Sequence, residues 1–187
     1  MKRVAMMCAT GFEAGETLLV VDVLRWAGIE VDLVSLGERE VTGMHGIITV
    51  TDRVFGEDIV EYDMLVIPGG GCANELMGYE PLKKMLKKFG ENHQKLVAGI
   101  CSGLRVLKQA GLLTGKKITY RPTEENQLQF AESIFVDEIV VQDGNLITSR
   151  GPGMSFAFAY ELVRALGEDA ETLKDSMQYT RTKQSRL

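Results

Sequence analysis

Lys95-Leu96-Val97-Ala98-Gly99-Ile100-Cys101-Ser102-Gly103-Leu104-Arg105-Val106-Leu107-Lys108-Gln109-Ala110-Gly111 is the stretch on which the reading of the fold turns. Residues 96–100 form a short apolar run with the length of a buried strand, and residues 104–110 form an amphipathic helix stopped by Gly111. Between them, Gly99-Ile100-Cys101-Ser102-Gly103 has the G-x-nucleophile-x-G spacing of a strand-to-helix elbow. Small neighbours permit a strained backbone there and turn the central side chain out over the sheet edge. Backbone N–H groups and the helix dipole at that point favour a thiolate, so Cys101 is expected to be a reactive thiol of lowered pKa. The alternative is an inert buried cysteine, the commoner fate of that residue.

Outward from the elbow, strand and helix signals alternate along the chain, which argues for an α/β fold with a largely parallel sheet. Expected strands cover residues 4–8, 30–35, 64–67, 96–100 and 117–120, then 135–141 and 146–149 as a hairpin across Asp143-Gly144. Expected helices cover 16–27, 81–89, 104–110, 154–166 and 170–177. In the second of these, Pro81 suits the first helical position, and Leu82, Met85, Leu86 and Phe89 make one apolar face opposite four lysines.

The helix over 16–27 has apolar residues on nearly every side, with Asp22 and Arg25 its only charges after Glu16. Such a helix must be buried all round, and a homodimer through helix 16–27 is expected; a fully internal helix is the alternative.

A length of 187 residues suits one domain spanning 1–187 with a substantial core. A net charge of −5 argues against nucleic acid or an anionic membrane as partner. Cys8, Cys72 and Cys101 are odd in number and never in C-x-x-C spacing, so neither a disulfide framework nor a metal site is expected. A reducing, cytoplasmic setting fits best, although Ser185-Arg186-Leu187 is a near relative of a peroxisomal address. No cofactor is expected.

Three further groups fall at the carboxyl ends of the expected strands, where open α/β sheets bind ligands. Glu16 opens a helix after the first strand and could present a protonated carboxyl to the Cys101 sulfur; otherwise it is only a dipole partner. Pro68-Gly69-Gly70-Gly71 follows a buried strand, and the N–H groups of Gly69 and Gly70 could form an oxyanion hole with that of Ser102. Arg150, in Thr148-Ser149-Arg150-Gly151-Pro152-Gly153, could bring a cation to the site or serve as a surface bridge. Of the two histidines, His93 is expected to face water, leaving His45 as the only histidine that could neighbour the thiol.

Taken together, Glu16, Pro68-Gly69-Gly70, Ala98-Gly99-Ile100-Cys101-Ser102-Gly103 and Thr148-Ser149-Arg150-Gly151-Pro152-Gly153 resemble the ThiJ/PfpI superfamily, nearest the branch of the Parkinson-disease-associated deglycase. The resemblance runs from Lys2 to about Gly167. It implies a flavodoxin-like three-layer α/β sandwich and a homodimer through the first helix. It also implies Cys101 as nucleophile and oxidation site, Glu16 as its protonated partner, and Gly69, Gly70 and Ser102 as oxyanion-binding backbone.

The activity implied is cysteine-dependent processing of small aldehydes or glycated substrates, of glyoxalase or deglycase type. The alternative is a cysteine redox sensor or stress-linked chaperone. Ser102 stands where the protease-like branch has a histidine, which disfavours peptidase chemistry. The stretch from Thr123 to Phe135 lacks the histidine of the deglycase-like branch.

Overall fold

The computed structural model describes residues 1–182. Its strands are β1 (Arg3–Met7), β2 (Glu30–Ser35), β3 (Glu40–Thr42), β4 (Ile48–Val50), β5 (Arg53–Val54), β6 (Met64–Ile67), β7 (Leu96–Ile100), β8 (Lys117–Ile118), β9 (Ile134–Phe135), β10 (Val140–Asp143) and β11 (Leu146–Ser149). The helices are α1 (Ala14–Trp26), α2 (Ala73–Gly78), α3 (Glu80–Glu91), α4 (Gly103–Gln109), α5 (Glu124–Gln129), α6 (Ser155–Ala165) and α7 (Ala170–Ser176), followed by a short turn of helix.

Seven strands form the central sheet in the order β10-β11-β7-β6-β1-β2-β5, parallel throughout except for the β10–β11 hairpin. Strands β1, β6 and β7 are almost wholly apolar because both faces of the sheet are covered, α1 and α6 lying side by side on one face and α3 and α4 on the other. This is the flavodoxin-like three-layer α/β arrangement. Chain order reverses between β1 and β6, so a crevice opens beyond their carboxyl ends, with the end of β7 beside it.

The main-sheet strands 30–35, 64–67, 96–100 and 146–149 have the expected limits. The expected strand over 117–120 is cut to Lys117–Ile118 and pairs with Ile134–Phe135 outside the main sheet. Side chains there replace the ladder: the Thr119 N–H donates to Thr148 Oγ1, and Thr119 Oγ1 donates to the Glu138 carbonyl. The expected strand over 135–141 accordingly starts only at Val140.

Much of the apolar surround of α1 is covered within the chain. Val20, Val21, Val23 and Leu24 are buried, with α6 alongside, while Leu18 and Leu19 are half-buried and Trp26 is 58% exposed. The residues Ser185-Arg186-Leu187 lie outside the described residues. Among the described residues, no helix is long and apolar enough to cross a membrane.

Candidate active site

Cys101 sits at the tip of the β7–α4 turn with φ of 56°, in the left-handed region that L side chains rarely occupy. The elbow is held by close packing. A Cβ on Gly103 would lie 2.4 Å from the Ile67 carbonyl oxygen, and one on Gly99 would lie 2.7 Å from the Leu107 side chain. The Cys101 N–H donates to the Ser149 carbonyl at 3.1 Å, tying the strained residue to the end of β11. Cys101 is half-buried, whereas Cys8 and Cys72 are fully buried.

Glu16 reaches this thiol because the start of α1 is pinned to the glycine turn after β6. Glu13 caps the helix by accepting the Glu16 N–H at 2.7 Å, and the Glu13 N–H donates to the Gly69 carbonyl at 3.0 Å. Gly70 approaches so closely that a Cβ there would lie 2.3 Å from the Gly11 carbonyl oxygen. Glu16 is fully buried. Its Oε2 accepts the Gly69 N–H at 2.9 Å, its Oε1 has no hydrogen-bond partner, and its carboxyl interacts with the Cys101 thiol.

Burial pushes the Glu16 carboxyl up to about 7, against opposition from its bonding with Cys101 and Gly69. Burial first, then the charge of Glu16, pushes the Cys101 thiol up to about 11, against the helping bond from the Ser102 N–H. The lowered thiol pKa expected from the elbow is therefore overturned: the first-turn N–H of α4 acts in the expected direction but is outweighed by desolvation and a neighbouring carboxylate. The two groups are coupled: the charge of Glu16 raises the Cys101 thiol, and the bond from Cys101 lowers the Glu16 carboxyl.

The expected oxyanion hole is also corrected. The Gly69 N–H is taken by Glu16, and the Gly70 N–H donates to Ser102 Oγ at 2.9 Å while that hydroxyl donates back to the Gly70 carbonyl at 3.0 Å. Of the three expected donors, only the Ser102 N–H is turned to the reacting sulfur. His45 is exposed on the turn between β3 and β4 and does not line the cleft beside Cys101. That turn is held at its base by the Met44 N–H bonding to the Phe12 carbonyl, and the pair of strands was too short to register in the sequence.

Arg150 does line the cleft. Its Nε donates to Thr119 Oγ1 at 2.8 Å and its Nη2 to Asp137 Oδ1 at 2.5 Å, and its guanidinium lies 5.6 Å from the Phe135 ring centre. The cleft has a volume of about 390 Å³ and runs from Cys101 and Ser102 to Tyr120, Phe130 and the polar face of α5, where Glu125, Asn126 and Gln129 contribute. Of its ten residues, sequence reasoning named Cys101, Ser102 and Arg150 and missed the other seven, Arg105 and Arg121 among them. Arg105 was findable, one helical turn beyond Cys101 on the same face. Arg121, just past the strand expected over 117–120, came with no signal of its own.

The DJ-1/PfpI family pattern matches residues 2–165. Protein dj-1beta of Drosophila melanogaster is 35% identical over 167 residues, covering 88% of this chain and 89% of that one. A deglycase of Thermococcus kodakarensis is 35% identical over 165 residues, covering 88% of this chain and 99% of its own. Among solved structures, Drosophila melanogaster DJ-1beta superposes with a TM-score of 0.86 at 31% identity, over 95% of this chain and 97% of that one. The chain belongs to the DJ-1/PfpI family.

Proposed function

We propose that this protein processes small reactive carbonyl compounds by cysteine chemistry, of glyoxalase or deglycase type, in protection against carbonyl stress. The observation that carries the reading is the fully buried Glu16 carboxyl, its pKa raised by burial to about 7, against the half-buried Cys101 thiol. The deglycase-named relative supports the same class. The reactive form has Glu16 ionised and the proton on sulfur. As the sulfur attacks the aldehyde carbon, the S–C bond forms, the carbonyl π pair moves to oxygen, and the thiol proton passes to Glu16. That carboxyl then returns the proton to the new alkoxide, giving a hemithioacetal.

With a dicarbonyl such as methylglyoxal, Glu16 can next carry the proton of the aldehyde carbon to the neighbouring carbon, while the hydroxyl proton of the hemithioacetal passes to the former ketone oxygen. The aldehyde carbon is thereby oxidised to a thioester while the ketone carbon is reduced to an alcohol. Water cleaves the thioester to a 2-hydroxy acid and free thiol, so no outside oxidant or reductant is needed. Negative charge on oxygen develops beside a cleft lined by Arg105, Arg121 and Arg150.

The reading includes a cytoplasmic setting and a homodimer that covers Leu18, Leu19 and Trp26 of α1. The test is product formation from methylglyoxal. Wild type should yield the 2-hydroxy acid and Cys101→Ala none, with the Cys101 peptide carrying the adduct mass; full turnover by Cys101→Ala would overturn the reading.

A second reading, oxidation sensing, is favoured by one observation: the Cys101 sulfur lies between the Glu16 carboxyl and the Ser102 N–H, which together could hold a sulfinate. Mild peroxide with peptide mass mapping tests it, Cys101 being the expected site of the added oxygens.

A further inference from the structure

We propose that the Cys101 cleft selects carbonyl compounds that also carry an anionic group, a phosphate or a carboxylate, and that Arg105 and Arg121 bind that group. The proposal rests on the carbonyl-processing reading and names its substrate class. In a chain of net charge −5, the cleft gathers Arg105, Arg121 and Arg150 against the single carboxylate Glu125. Arg150 is engaged by Asp137 and Thr119. Arg105 and Arg121 have no ion pair and no side-chain hydrogen bond among the described residues, although Arg105 is half-buried on α4.

Two arginines without side-chain partners, the half-buried Arg105 and the exposed Arg121, line one concave site beside a third and raise its potential for an anion. Their backbones are fixed in place. Arg105 lies within the α4 helix, and the Arg121 carbonyl accepts both the Thr123 N–H at 2.8 Å and Asn126 Nδ2 at 2.9 Å. The planar five-donor guanidinium suits the paired oxygens of a carboxylate or phosphate. The cleft volume of about 390 Å³ is within the usual range for a small ligand.

The test does not need turnover. The full chain is treated in parallel with iodoacetate, which is anionic, and iodoacetamide, its neutral counterpart, and the rate at Cys101 is read by peptide mass. The iodoacetate-to-iodoacetamide ratio should be higher in the folded protein than at the same residue in the urea-unfolded chain, and should fall as salt is added. Arg105→Gln and Arg121→Gln should each lower the ratio roughly tenfold, the loss expected for one charge-assisted hydrogen bond. Lys84→Gln removes the same charge from the exposed face of α3 and should leave the ratio unchanged.

Inorganic phosphate and acetate, added as competitors, identify the group by which slows iodoacetate at the lower concentration. A ratio equal in folded and unfolded chains, or unmoved by both arginine variants, would overturn the proposal. If the ratio behaves as expected while methylglyoxal and its phosphorylated analogues are left unconsumed, the carbonyl reading fails and the anion site stands. If carbonyls are consumed and the ratio is flat, the reverse holds.

Discussion

Glu16 and Cys101 meet across Gly69. The first lies in the opening turn of α1 and the second at the end of β7, and they meet because Gly69 leaves no side chain between them; burial raises the carboxyl to about 7, and burial with the neighbouring carboxylate raises the thiol to about 11. A Cβ on Gly69 would lie 2.4 Å from Glu16 Oε2 and 2.8 Å from Cys101 Cβ, so the close approach is available to glycine alone.

The first consequence is for stability. Glu16 is raised from 4.5 to about 7 in the folded chain, so between those values the folded state keeps a proton that the unfolded state has released. Stability from this group is complete below about 4.5 and is lost as pH rises through about 7, amounting to about 3 kcal/mol. Glu16→Gln removes that slope. Urea unfolding of both proteins across this window should show the variant gaining on wild type as pH rises; parallel curves would contradict the assignment.

Thiol reactivity should follow exposure and burial. Cys101, pushed up to about 11, should label slowly at neutral pH, and Cys72, pushed up to about 12 and fully buried, should not label in the folded chain. Cys8 is pushed up further still. Because the charge of Glu16 opposes the Cys101 thiolate, Glu16→Gln should shift the Cys101 alkylation profile to lower pH. A profile unmoved by this change, followed with iodoacetamide, would show that the two groups are uncoupled.

Packing at the elbow makes a third expectation. Gly103→Ala places a methyl 2.4 Å from the Ile67 carbonyl oxygen, where fixed backbone cannot give way, whereas Gly153→Ala meets nothing within 4 Å. The first should lower stability by roughly 1–3 kcal/mol and the second should be close to neutral, as read from urea midpoints.

The outer edge of α1 is the fourth case. Light scattering at micromolar concentration should give twice the chain mass of 20.7 kDa, and Trp26→Glu should shift the mass toward the single chain. A monomer for the wild type would remove the homodimer.

Strands β2, β6, β7 and β11 were legible because each is a short apolar run bounded by turn residues, and the elbow was legible because glycine spacing marks a backbone constraint directly. The hairpin β3–β4 and the six-residue α2 and α5 were not, being too short for a period to show, although Thr123 capping the Asn126 N–H marks the start of α5. The site divides in the same way. Glu16, Cys101 and Gly69 were placed by the ends of strands, which topology brings together. Which N–H groups remain free could not be read, because the Gly70–Ser102 exchange joins residues 32 apart in sequence. The direction of the thiol pKa needed burial, which a motif does not carry.

The most direct test is the pH dependence of kcat/KM for methylglyoxal with wild type, Glu16→Gln and Cys101→Ala, measured as appearance of the 2-hydroxy acid. The expected wild-type profile rises through about 7, as Glu16 ionises, and declines toward about 11. Glu16→Gln should be lowered by roughly 10²–10⁴-fold and lose the rise near 7, the usual contribution of a general base. Cys101→Ala should form no product. Wild-type rates retained in Cys101→Ala, or a rise near 7 that survives in Glu16→Gln, would contradict a Cys101 thiol that works through Glu16.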